Sequence, residues 1–177
     1  MTATHISYDE SAANAATDQS EGAQFLTFTL ADESYGVDIL RVQEIKGWVP
    51  VTQVPNAPVY VQGVLNLRGV IVPIIDLRAW FNLEKIDHTP ITVIIVMSVK
   101  NENGNRIIGI VADAVSDVLD IKHADIKPSP DFGATIEVNT DFLNGIATVN
   151  DQMVMLLDTD KMLNTDELST LETDAVH

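Results

Sequence analysis

The chain predicts an all-β protein with short helices, made of barrels or a sandwich and built by duplication. Three observations carry this. Short apolar runs rich in β-branched residues recur at regular spacing, each bounded by turn residues. Between the two ends of the chain, no segment holds a helical period for more than about two turns. The chain also matches itself at two nearby offsets, which marks an internal repeat.

Phe25–Leu30 is aromatic and β-branched, and it runs into the polar turn Ala31-Asp32-Glu33-Ser34, with Tyr35–Ile39 as the returning strand. Leu40, Val42 and Ile45 break strict alternation, which predicts one or two turns of helix over 40–46. Pro50, Pro55 and Pro58 mark an irregular connection.

The segment 66–81 then reads as strand, tight turn, strand and short helix. Gly69 supplies the positive φ of a two-residue hairpin turn, and Asp76 stands where a helix N-cap belongs, ahead of Leu77 to Phe81. Pro73, inside Val70–Ile75, predicts an edge or bulged strand, because proline offers no N–H to a neighbour. Ile91–Val99 and Arg106–Val111 flank the turn at 101–105. After Pro128 and Pro130, Asp141–Val149 and Gln152–Leu157 form a last hairpin.

The repeat is carried by loop and cap residues as well as apolar ones. At an offset of 82, Gly63 falls on Gly145, Val72 on Val154, Asp76 on Asp158, and Trp80-Phe81 on Met162-Leu163. At an offset of 73, Gly36 falls on Gly109, Val42 on Val115, Glu44 on Asp117 and Ile45 on Val118. Each unit has about 70 residues, small for an independent core, so two such barrels gain by packing together and leave a groove along their seam.

The 26 acidic and 10 basic residues give a net charge of −16. That removes the basic footprint needed for nucleic acid, and an anionic membrane surface repels such a chain. Half of the excess lies in the two ends, 1–23 and 164–177, which hold four acidic residues each and no Lys or Arg. With few large apolar side chains, 1–23 is expected to be a disordered tail and 164–177 a frayed, partly helical one. There is no cysteine, no signal-peptide pattern and no apolar run near the length of a membrane span, so a cytoplasmic protein without direct membrane insertion is expected.

Catalytic chemistry finds little support. The four histidines are scattered, and no nucleophile elbow or phosphate-cradling glycine loop is present. Asp113, Asp117 and Asp120 at helical spacing, with Asp158 and Asp160, offer a divalent-metal reading. The competing reading is a solvated face and a helix cap, which the pairing of Asp158 with Asp76 favours. Trp48, Trp80 and Phe81 are read as core or seam residues. Arg68, at a hairpin tip of an acidic chain, is a plausible partner-facing anchor, with Glu44 able to pair with it or share its partner.

The blocks QFLTFTL (24–30), YGVDILRVQEIKG (35–47), GVLNLRGVIVPIIDLR (63–78), IIGIVADAVSDVL (107–119) and 143–163 resemble the CheW-like chemotaxis coupling family, in family order. The resemblance implies two SH3-like five-stranded β-barrels around a hydrophobic seam, within a domain at 24–163. The first barrel is expected mainly over 34–90 and the second mainly over 91–163, with the strand at 24–31 unassigned. It implies no catalysis, cofactor or metal. It implies two partners: the cytoplasmic tips of methyl-accepting chemotaxis receptors, which bring such a protein to the inner face of the membrane, and the regulatory domain of the histidine kinase CheA. In the family, receptors use the groove between barrels and the kinase uses barrel ends. The matching positions for receptor or kinase contact here are Ile39, Val42, Glu44, Gly63 and Arg68.

Overall fold

The computed structural model describes residues 22–102, 104–128 and 142–163. Its strands are β1 (Gly22–Leu30), β2 (Glu33–Asp38), β3 (Val42–Gly47), β4 (Val61–Leu67), β5 (Val70–Asp76), β6 (Val93–Asn101), β7 (Gly104–Ala112), β8 (Ala114–Lys122), β9 (Ile126–Lys127), β10 (Leu143–Val149) and β11 (Gln152–Leu157). Two short helices, α1 (Leu77–Trp80) and α2 (Thr159–Leu163), follow β5 and β11. The mostly-β class with short helices stands. Because β1 begins at Gly22, the expected tail is shorter than 1–23; the rest of it, and 164–177, lie outside the described residues.

The strands form two sheets, ordered β8-β1-β2-β11-β10-β9 and β3-β6-β7-β5-β4. Each is closed by a segment that runs from one edge to the other. β8 passes through a 3-10 turn at His123–Asp125 into β9, which pairs with β10. β3 leads on to Thr52, which bridges Val64 of β4. Counting β8 and β9 as one bent strand makes both barrels five-stranded.

The duplication holds down to register. Val61 opposes Ile75 and Gly63 opposes Ile74, just as Leu143 opposes Leu157 and Gly145 opposes Leu156. The parallel pairs Ile74–Gly109 and Leu156–Gly36 also correspond. Bulges recur too, with one extra residue at Gln43 against β6 and one at Ser116 against β1.

The expected division into barrels over 34–90 and 91–163 is corrected. One barrel joins the first repeat's hairpin β1–β2 to the second repeat's β8–β11; the other joins β3–β5 to the hairpin β6–β7. The repeats have exchanged hairpins. A sequence repeat identifies equivalent segments, whereas pairing is decided by where the chain turns after each hairpin. Here the turn at Ile39–Arg41 and the single residue Asp113 carry the chain across to the other sheet.

The largest buried cluster among the described residues lies between the sheets. Leu26, Phe28, Leu30 and Val37 from one barrel meet Ile75, Ile95, Met97, Ile108 and Ile110 from the other. The smaller clusters, around Phe25 and Leu156 and around Ile74 and Ile94, fill the two barrels. The seam is therefore the main core, in keeping with barrels too small to stand alone. Tyr35, Trp80, Phe81 and Phe142 pack against it, with Phe81 stacked between Tyr35 and Phe142 at ring distances of 5.4 and 5.2 Å.

Two local expectations change. β5 is an interior strand, but it pairs with β7 only from Ile74 onward, so Pro73 falls where one side of the strand has no ladder partner. The helical turns expected over 40–46 are a 3-10 turn at Ile39–Arg41 followed by strand β3, and Ala114–Lys122 is a strand, so Asp113, Asp117 and Asp120 share no helical face.

Candidate functional site

The five candidate residues divide into a rim, a hairpin tip and a buried glycine. Ile39 opens the 3-10 turn that leaves β2, and the Asp38 carboxylate caps that turn by accepting from Leu40 N at 2.9 Å. Ile39 and Val42 are half-buried and pack on the seam core. Val42 opposes Met97 and Ile45 opposes Ile95, both seam residues, so the bulge at Gln43 brings Val42 and Ile45 to the same face. Leu40 is 88% exposed and Ile45 44%. The result is a short apolar rim, Ile39, Leu40, Val42 and Ile45, where the seam meets solvent. An exposed leucine and isoleucine thus stand at the edge of the main core.

Arg68 and Gly69 form the tip of the β4–β5 hairpin with φ of 53° and 88°, the left-handed pair of a two-residue turn. Asn66 Oδ1 accepts from Gly69 N at 2.9 Å and fixes that turn. An arginine in the left-handed region costs on the order of 1 kcal/mol. Its Nη2 donates to Glu44 Oε1 at 3.3 Å, as the sequence allowed, but its side chain is 78% exposed. So long and exposed a pair adds little stability, and leaves the guanidinium open to a partner. Val70, next to it, is half-exposed.

Gly63 is buried and presents no side chain. A Cβ built on it would lie 2.2 Å from the Thr52 carbonyl oxygen, the group whose bridge to Val64 closes the barrel. Its twin Gly145 would likewise meet Lys127 O at 2.6 Å, where β9 closes the other barrel. Glycine at 63 therefore permits barrel closure, and any influence on a partner passes through that closure.

Two ion-paired clamps at the crossovers were not expected from the sequence. At the first, Arg41 Nη2 donates to Asp160 Oδ2 at 2.6 Å, and Asp160 Oδ1 accepts from Lys100 N at 2.8 Å. At the second, Arg78 donates through Nε and Nη2 to both oxygens of Asp113, at 2.9 and 2.7 Å, and Asp113 Oδ2 accepts from Ala31 N at 2.9 Å. Each clamp joins a crossover, the short helix of one barrel and a hairpin of the other. Burial pushes the Asp113 carboxyl up, but the hydrogen bonds from Arg78 and Ala31 and the guanidinium charge outweigh it and hold it below the usual range. Hydrogen bonding to Asp113 raises Arg78 in turn. One signal was available: at the offset of 82, Arg78 falls on Asp160, a reversal of charge at equivalent positions.

The carboxylates of the metal reading have partners within the fold. Asp113 is committed to Arg78 and Ala31, Asp117 Oδ1 accepts from its neighbour Val118 N, and Asp158 caps α2 by accepting from Lys161 N at 3.1 Å. Among the described residues no group of three or more His, Cys, Asp or Glu is placed to hold a metal ion. Nor does any described helix have the length and apolarity to cross a membrane. The open depression bounded by Trp48, Pro50, Val59, Asp76 and His88 holds none of the five candidate residues. Ile39, Val42, Glu44 and Arg68 lie at the seam edge or beside the hairpin tip, whereas Gly63 is buried against the Thr52 carbonyl.

Residues 24–167 match the model of the CheW-like domain. The chain is 44% identical over 151 residues to the chemotaxis protein CheW of Klebsiella aerogenes, an alignment covering 85% of this chain and 87% of that one. It is 37% identical to CheW of Rhizobium meliloti, covering 82% and 90% of the two chains. Among solved structures it superposes on the scaffolding protein TtCheW of Thermoanaerobacter tengcongensis with a TM-score of 0.72 and 30% identity, over 82% of this chain and 95% of that one. With two closed barrels on a shared seam and a match that spans nearly all the described residues, the chain belongs to the CheW-like family.

Proposed function

We propose that this chain is a non-catalytic coupling protein that links methyl-accepting chemotaxis receptors to the histidine kinase CheA and supports receptor control of the kinase in cytoplasmic signalling arrays. The observation that carries this reading is the CheW-like match, which spans nearly all the described residues. The geometry agrees with it in kind. Rigid barrels present an apolar rim at Ile39, Leu40, Val42 and Ile45, suited to the apolar face of a receptor helix. A separate tip presents Arg68 beside Glu44, suited to a charged or polar anchor on a partner. The two features meet at β3, where Glu44, the partner of Arg68, stands between Val42 and Ile45.

The test is co-sedimentation of the purified chain with receptor-containing membranes, and separately its capture by the isolated CheA regulatory domain. Binding to both supports the reading. Failure to bind either cognate partner overturns it.

A further inference from the structure

The two crossover clamps have the same chemistry but different neighbours. Arg41 is the last residue of the turn that carries Ile39 and Leu40, and Val42 follows it directly. Its carboxylate partner Asp160 reaches the opposite barrel's hairpin through Lys100 N. The Ile39–Val42 rim is thus held at its middle by an ion pair anchored on α2 and β6. The Arg78–Asp113 clamp stands at the other crossover, between α1 and the β1–β2 turn, and touches no rim residue.

We propose that Arg41 and Asp160 are positioning residues for docking at the Ile39–Val42 rim, whereas Arg78 and Asp113 serve stability alone. This rests on the reading of the rim as a receptor-binding surface. The physical ground is the three-residue turn itself. In a segment so short, Leu40 lies in solvent while Ile39 packs on the seam core, and the Arg41 guanidinium is the side chain that ties the turn to α2. Once that tie is cut, the rim samples other shapes, and a partner must then bear the cost of ordering it.

The experiment measures the affinity of purified receptor cytoplasmic fragments and the thermal midpoint for Asp160→Asn, Arg41→Gln, Asp113→Asn and Val42→Asp. Asp160→Asn and Arg41→Gln are expected to weaken receptor binding about five- to tenfold, from the loss of preorganisation. Asp113→Asn is expected to lower the thermal midpoint at least as much while leaving affinity within about twofold, since it lies outside the rim. If the Arg41 and Asp160 variants bind like wild type, or if Asp113→Asn weakens binding equally, the positioning role is overturned. If Val42→Asp also binds like wild type, the rim is not the docking surface, and the underlying reading fails instead.

Discussion

Replacing Arg78 with alanine removes the most tightly built ion pair of the molecule's described residues. The guanidinium makes two hydrogen bonds to Asp113, at 2.9 and 2.7 Å, and Nη1 donates a third to the Glu84 carbonyl at 2.7 Å. The side chains of Arg78 and Asp113 are 13% and 24% exposed, so solvent screens the pair only in part. Fully exposed pairs contribute less than about 1 kcal/mol, and breaking a fully buried one costs about 3–5 kcal/mol. The variant should therefore lose about 2–3 kcal/mol, or about 5–10 °C of thermal midpoint for a domain of this size.

The loss should also depend on pH. Asp113 titrates below its ordinary 3.8 in the folded state, so its contribution is present above the unfolded value and disappears as pH falls through the lower folded value. Differential scanning calorimetry of both proteins from about pH 7 to about pH 2 checks this, with the gap between their midpoints shrinking below about pH 4. A variant as stable as wild type at neutral pH refutes the claim that the clamp holds the crossover. A gap that stays constant into acid refutes the assignment of that stability to the Asp113 carboxylate.

Other variants probe other links. Phe28→Ala empties a fully buried seam position and should cost about 3–5 kcal/mol; because the seam is shared, calorimetry should still show one transition, and two separate ones contradict a common core. Gly63→Ala drives a methyl against the Thr52 carbonyl and should cost about 2–4 kcal/mol, read by urea unfolding, while an unchanged midpoint denies it a role in barrel closure. Arg68→Ala should keep the wild-type thermal midpoint within about 2 °C, since an exposed pair contributes little, yet weaken partner binding and signalling. A marked drop in its midpoint makes Arg68 structural.

Much of this architecture was legible in the residues, and the misreadings have a common cause. Turn and cap chemistry located the hairpins at Gly69 and the helices after Asp76 and Asp158, because those positions demand particular side chains whatever the tertiary context. Residues 40–46 read as helical, and Asp113, Asp117 and Asp120 as one helical face, because the bulges at Gln43 and Ser116 break the two-residue period, leaving apolar residues three apart as in Val42 and Ile45. The repeat was visible, but the exchange of hairpins was not. Nothing in equivalent sequences states which copies pair, and the decision rests on two crossovers of three residues and one. The site was legible in the same measure. Glu44 and Arg68 do meet, Ile39 and Val42 do share the seam edge, and Gly63 proved to be a matter of backbone clearance. The clamps escaped because their partners are 119 and 35 residues apart, and long-range ion pairs leave no local pattern.

The most direct test of the central claim reconstitutes receptor-containing membranes and kinase and follows autophosphorylation with and without this chain. The coupling account predicts that adding the chain raises kinase activity, that a receptor ligand then controls it, and that Arg68→Ala blunts the effect. Kinase activity that is the same with and without the chain, in the cognate system, contradicts it.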